Sequence, residues 1–116
     1  MEPFSFIGRK SDFMPIVRES ASFTLGMKHV GAWVKLNASG ATVVTMPPLP
    51  TTEAVEGVIV QYTASGVITF SASGGSTVNC RGKTSTVTTN AQYAPISWKY
   101  DPVDREFLLS GDATVT

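Results

Sequence analysis

A nucleophilic proton relay needs a histidine beside a serine, cysteine or threonine, and this sequence holds a single histidine, His29, with no obvious partner next to it. Standing just ahead of a β-prone run, it reads as a structural or surface residue rather than a general base. One histidine and one cysteine, Cys80, do not make a zinc site, which draws several ligands of those types. Asp101, Asp104, Glu106 and Asp112 gather late in the chain, but their spacing departs from the calcium-loop pattern, so a solvated turn is expected. Glu53 with Glu56, or Asp104 with Glu106, are formally the carboxylate pairs of a glycosidase. That chemistry also needs a cleft, which a chain of 116 residues seldom builds alone. Ser73-Gly74-Gly75-Ser76 lacks the lysine and following helix of a phosphate loop and reads as turn chemistry. Trp33, Trp98, Tyr62 and Tyr100 have faces that stack on sugars or bases, but at strand spacing their ordinary place is a core. The expectation is a protein without catalytic residues, metal or cofactor.

The elements behind these residues are β-prone. Hydrophobic residues make up 42% and charged residues 16%, the balance of a folded chain, and Thr, Ser, Gly, Ala and Val dominate over helix formers. Short runs separated by turn residues follow one another from residue 29: His29 to Leu36, Ala41 to Met46, Gly57 to Thr63, Val67 to Ala72, Thr77 to Arg81, Ile96 to Asp101 and Glu106 to Ser110. Gly57 to Thr63 and Val67 to Ala72, joined through Ala64-Ser65-Gly66, read as a β-hairpin. Pro47-Pro48-Leu49-Pro50 reads as a rigid crossing loop, residues 82–93 as a weak edge strand or exposed loop, and Cys80 as a small buried hydrophobe. The whole predicts an all-β fold, a single antiparallel β-sandwich or jelly-roll-like domain over residues 29–116.

Residues 1–28 differ. They hold Phe4, Phe6, Phe13 and Phe23 without sustained alternation, broken by Pro3 and Pro15, and their bases outnumber their acids. This predicts an extended N-terminal arm that docks on a partner through Phe4, Phe6, Ile7, Arg9, Lys10, Phe13, Ile16 and Arg18; the alternative is that the Phe residues cover one open end of the same domain. The first residues place an acid before the apolar run and bases after it, the reverse of a secretory signal, and no window reaches the roughly 18 apolar residues of a membrane helix. Nine Lys plus Arg balance nine Asp plus Glu, so no net field draws nucleic acid or anionic lipid, and neutral copies tolerate close packing. Neither nucleic acid nor membrane is expected as a partner. The lone cysteine fits synthesis in a reducing cytoplasm.

Ala41-Thr42-Val43-Val44-Thr45-Met46-Pro47 leads into the crossing loop. Gly57-Val58-Ile59-Val60-Gln61-Tyr62, Ser65-Gly66-Val67-Ile68-Thr69-Phe70, Gly74-Gly75-Ser76-Thr77-Val78, Arg81-Gly82, Ile96-Ser97-Trp98-Lys99-Tyr100-Asp101 and Phe107-Leu108-Leu109 follow it in order. From Ala41 to Leu109 this pattern resembles a β-module of tailed-bacteriophage virion structural proteins. The resemblance implies a head decoration or cement protein, made in the host cytoplasm and carried on the outer surface of the capsid. There it would form a homotrimer and stabilise the head by binding the major capsid protein. The alternatives are a head-fibre, tail-fibre or adaptor component that binds a receptor or another tail protein, and a carbohydrate-binding module using Trp33 and Trp98.

Overall fold

The computed structural model describes residues 14–82 and 86–116. Among the described residues eleven strands run in chain order: β1 (Ile16–Glu19), β2 (Phe23–Thr24), β3 (Trp33–Leu36), β4 (Thr42–Met46), β5 (Val55–Gln61), β6 (Ile68–Ala72), β7 (Thr77–Cys80), β8 (Val87–Thr89), β9 (Pro95–Asp101), β10 (Glu106–Gly111) and β11 (Ala113–Val115). Successive strands alternate between two sheets and stack in parallel: β1 beside β3 beside β5 in one, β2 beside β4 beside β6 in the other. The chain therefore winds as a β-solenoid of about three turns. Beyond the third turn the direction reverses. β9 lies antiparallel to β5 and β8 antiparallel to β6, and β10, β7 and β11 complete sheets of six and five strands, in the orders β1-β3-β5-β9-β10-β7 and β11-β8-β6-β4-β2.

This overturns the predicted antiparallel β-sandwich or jelly roll, and with it the hairpin. β5 and β6 never pair; each lies on the strand of the preceding turn. The residues read as a hairpin turn are a solenoid corner stacked on the corner below. Thr63 donates its hydroxyl to the Ala38 carbonyl at 2.5 Å, and Ser65 donates to Ser39 at 2.9 Å. Gly66 is buried in this corner, and a Cβ there would come within 3.0 Å of the Ala38 carbonyl oxygen. The opposite corner repeats the device, with the Ser76 hydroxyl donating to the Met46 carbonyl at 2.5 Å.

One core fills the space between the sheets. Inward side chains form in-register rows across the turns: Val17, Val34, Ile59 and Ile96 on one side, Phe23, Val44, Phe70 and Val87 on the other. The reversed strands contribute the largest members, Trp98, Tyr100 and Phe107, with ring centroids 5.9 Å (Trp98 to Phe107) and 4.6 Å (Tyr100 to Phe107) apart. Gly57 faces the Trp98 indole so closely that a Cβ would lie 2.8 Å from Nε1. Cys80 is buried in the same core, as expected.

Residues 16–19 and 23–24, within the stretch read as an arm, are the two strands of the first turn, and Leu25 is buried. Phe4, Phe6, Ile7, Arg9, Lys10 and Phe13 lie outside the described residues. β8 falls within the stretch of residues 82–93 read as weak, and β11 was not foreseen.

Candidate functional site

A strand packed on one side against a core presents every second residue outward, and parallel strands usually have both faces covered. In the turns β1, β3 and β5 one outward row is wholly apolar and the next mixes charged with apolar residues. Ile16, Trp33 and Val58 stand in register across the three strands, and the next outward row runs Arg18, Lys35, Val60 and Pro95. Ile16 is 46% exposed and Trp33 38%. On the neighbouring antiparallel strand β9 the corresponding face carries Ser97 and Lys99, which separate the apolar surface of the parallel turns from the exposed Leu108 of β10.

Two residues beyond the strands wall this surface into a groove of about 410 Å³ whose floor is Val58 and Val60. Tyr62 follows β5 directly, and its amide donates to the Leu36 carbonyl. Tyr93 comes from the loop before β9, where its amide donates to the Gln61 carbonyl at 2.6 Å. The two rings meet edge to face with centroids 5.6 Å apart. Tyr93 adopts φ 65°, the left-handed region that a bulky residue occupies only under local constraint, and remains 60% exposed. Met14 and Trp33 close the far side.

A second groove, of about 390 Å³, adjoins the first through Tyr62 and is polar, lined by Arg18, Glu19, Ser20, Lys35 and Asn37. The Lys35 ammonium sits 4.1 Å from the Tyr62 ring centroid and 5.7 Å from that of Trp33, a cation–π position between the two grooves.

Glu19, at the edge of this polar groove, is already engaged. Its Oε2 lies 2.9 Å from His29 Nε2 and 3.2 Å from Lys28 Nζ. The Gly26 amide donates to His29 Nδ1 at 2.9 Å, which places the proton of the neutral ring on Nε2, donated to Glu19. Partial burial raises the Glu19 pKa, but the hydrogen bonds from His29 and Lys28 and the charge of Lys28 outweigh it and hold the carboxyl below its ordinary value. His29 is 1% exposed, with both ring nitrogens engaged and Phe23 packed on its face. It ties β1 to the short 3-10 turn Met27–His29, the structural role expected for it.

Of the predicted docking residues, Ile16 and Arg18 are on this outer face and both are exposed. The four aromatics divide evenly: Trp98 and Tyr100 are core, Trp33 and Tyr62 line the groove. Tyr93 and Lys35 were missed. The legible signal for Tyr93 was an aromatic in an otherwise polar loop, and for Lys35 its outward parity beside Trp33. The late acids do not converge. Asp101 accepts the Val103 amide at 2.9 Å as a solvated turn, whereas Asp112 pairs with Asn90 at 3.0 Å. Among the described residues no group of three metal-ligating side chains forms.

No protein-family model and no curated protein matches this chain.

Proposed function

We propose that the chain is a head-fibre, tail-fibre or adaptor component of a tailed-phage virion, and that the outer face of its parallel turns binds a receptor or a neighbouring tail protein. The observation that carries this reading is the row Ile16, Trp33 and Val58, apolar and in register, with Ile16 and Trp33 exposed and Val58 half-buried, walled by Tyr62 and Tyr93. Contiguous apolar surface on a soluble domain marks an interaction site, and Trp, Tyr and Arg are the residues that dominate binding energy at such sites. The β-module resemblance over residues 41–109 supplies the virion setting. Stacked turns supply a flat, extended face of the kind that solenoids use for binding. The groove brings carbon surface, Lys35 and Arg18 together without a nucleophile beside a base, which favours binding over turnover. The capsid-cement reading leaned on Phe4 through Phe13, outside the described residues, and so has less support than the outer face gives a fibre or adaptor.

The test is retention of the labelled chain on three surfaces: envelopes of a susceptible bacterium, purified tails, and empty heads. Retention on envelopes or tails, reduced by Trp33→Ala, is expected. Retention on heads alone, reduced by Trp33→Ala, would make the outer face a capsid-binding surface and sink the proposal.

A further inference from the structure

We infer that the paired grooves bind an acidic oligosaccharide, a chain of pyranose rings carrying carboxylates. This rests on the receptor-binding reading and narrows the receptor to a surface glycan.

A pyranose presents an apolar C–H face and a rim of hydroxyls, so its site needs an aromatic platform and hydrogen-bonding groups within one ring's reach. The two grooves supply these in sequence and share Tyr62: Trp33 and Tyr93 offer exposed aromatic surface in the first, Asn37 and Ser20 offer polar groups in the second. Charge then selects among sugars. Of the charged residues lining the polar groove, Glu19 accepts through Oε2 from His29 and Lys28, and the positive charges of Lys35 and Arg18 outnumber its single carboxylate. Lys35 is held at the junction by Tyr62, 4.1 Å from its ring centroid, where an ammonium keeps its charge without giving up its remaining donors. A carboxylate on a ring stacked at Trp33 complements that ammonium.

A single-stranded nucleic acid also needs aromatics and cations, but it needs cations along its whole backbone. Here Lys35 and Arg18 are neighbours in register at one end, and the next outward lysine, Lys99, is opposite Glu56. The arrangement is one anion pocket beside an apolar groove rather than a track.

The experiment titrates the full chain calorimetrically with an alginate hexasaccharide, with cellohexaose as the neutral counterpart and with an oligodeoxythymidylate. The alginate probe is expected to bind about tenfold tighter than cellohexaose, an advantage that Lys35→Gln abolishes and added salt erodes. Trp33→Ala weakens both sugars by about tenfold or more, the scale of a lost stacking platform. Trp33 is surface-exposed, and matching urea midpoints for variant and parent confirm that the fold is intact. Equal binding of both sugars, tighter binding of the oligonucleotide, no sugar binding at all, or a Trp33→Ala effect on self-association alone would each overturn the inference. Retention on envelopes without alginate binding removes the glycan and leaves the receptor reading. Alginate binding without retention on envelopes or tails supports the glycan and removes that reading.

Discussion

Gln61 and Thr89 meet inside the core, the threonine hydroxyl donating to the Gln61 side-chain oxygen while accepting the Ile68 amide at 2.9 Å. The same Gln61 donates its side-chain nitrogen to the Thr63 carbonyl at 2.8 Å, and its backbone carbonyl accepts from Tyr93. A fully buried amide thus fixes the corner that aims Tyr62 and receives the loop that carries Tyr93. The groove on the surface is built from a polar contact beneath it.

Thr89→Val keeps the shape of the side chain and removes both bonds, leaving the Ile68 amide and the Gln61 oxygen without their partner. A loss of about 1–3 kcal/mol for each buried group left unpaired is expected. Adding Gln61→Leu removes one of those orphans, so the double variant is less destabilised than the two single losses combined. Urea midpoints of the four proteins measure the coupling. Strict additivity would show that the two side chains do not communicate.

The Glu19 contact with His29 and Lys28 makes stability respond to acid. Because the folded carboxyl lies below its ordinary value, its contribution is present in full above the unfolded glutamate pKa near 4.5 and is lost as pH falls through the lowered folded value. Solvent reaches Lys28, so at neutral pH its ion pair with Glu19 is worth less than about 1 kcal/mol. Glu19→Gln is expected to flatten the decline in urea midpoint across the acidic range. If variant and parent decline in parallel, other carboxylates govern the acid limb.

Strand parity was legible in the sequence, and the partners of each strand were not. Val58, Val60 and Tyr62 share one face, and Ile96, Trp98 and Tyr100 share another, as their alternation requires. Alternation does not say which face is inward. Gly57 shows why: its missing side chain makes room for the Trp98 indole, a long-range relation invisible in either strand alone. Nor does a Ser-Gly turn declare whether the chain folds back or goes round a corner. The hydroxyls of Thr63 and Ser65 find their acceptors at Ala38 and Ser39, a full turn earlier in the chain. The turns are also unequal, the step from Ile16 to Trp33 being shorter than that from Trp33 to Val58, so no fixed repeat marks the solenoid. The groove inherits this opacity, since it joins residues of three turns and one distant loop.

The two tryptophans separate binding from folding. Trp98 is fully buried against Phe107, and its truncation to alanine is expected to remove about 3–5 kcal/mol of stability. Trp33→Ala, on the outer face, should stay within about 1 kcal/mol of the parent while retention on envelopes or tails falls. Both quantities come from one set of purified variants. Unfolding on Trp33→Ala would place that indole in the core and dissolve the groove.

Tyr93 offers the sharpest separation, because its backbone and its ring are under different demands. At φ 65° a side chain is strained, by about 1–3 kcal/mol, and glycine is not. Tyr93→Gly and Tyr93→Ala both delete the ring that walls the groove beside Tyr62, so both should lose retention to a similar extent. Only glycine relieves the backbone. The glycine variant is therefore expected to be more stable than the alanine variant by about 1 kcal/mol in urea unfolding, despite the greater freedom glycine gives the unfolded chain. That ordering, with binding lost in both, means the fold tolerates strain at this position in order to present an aromatic ring. If alanine proves the more stable of the two, the loop is unstrained and Tyr93 stands where it does for packing alone.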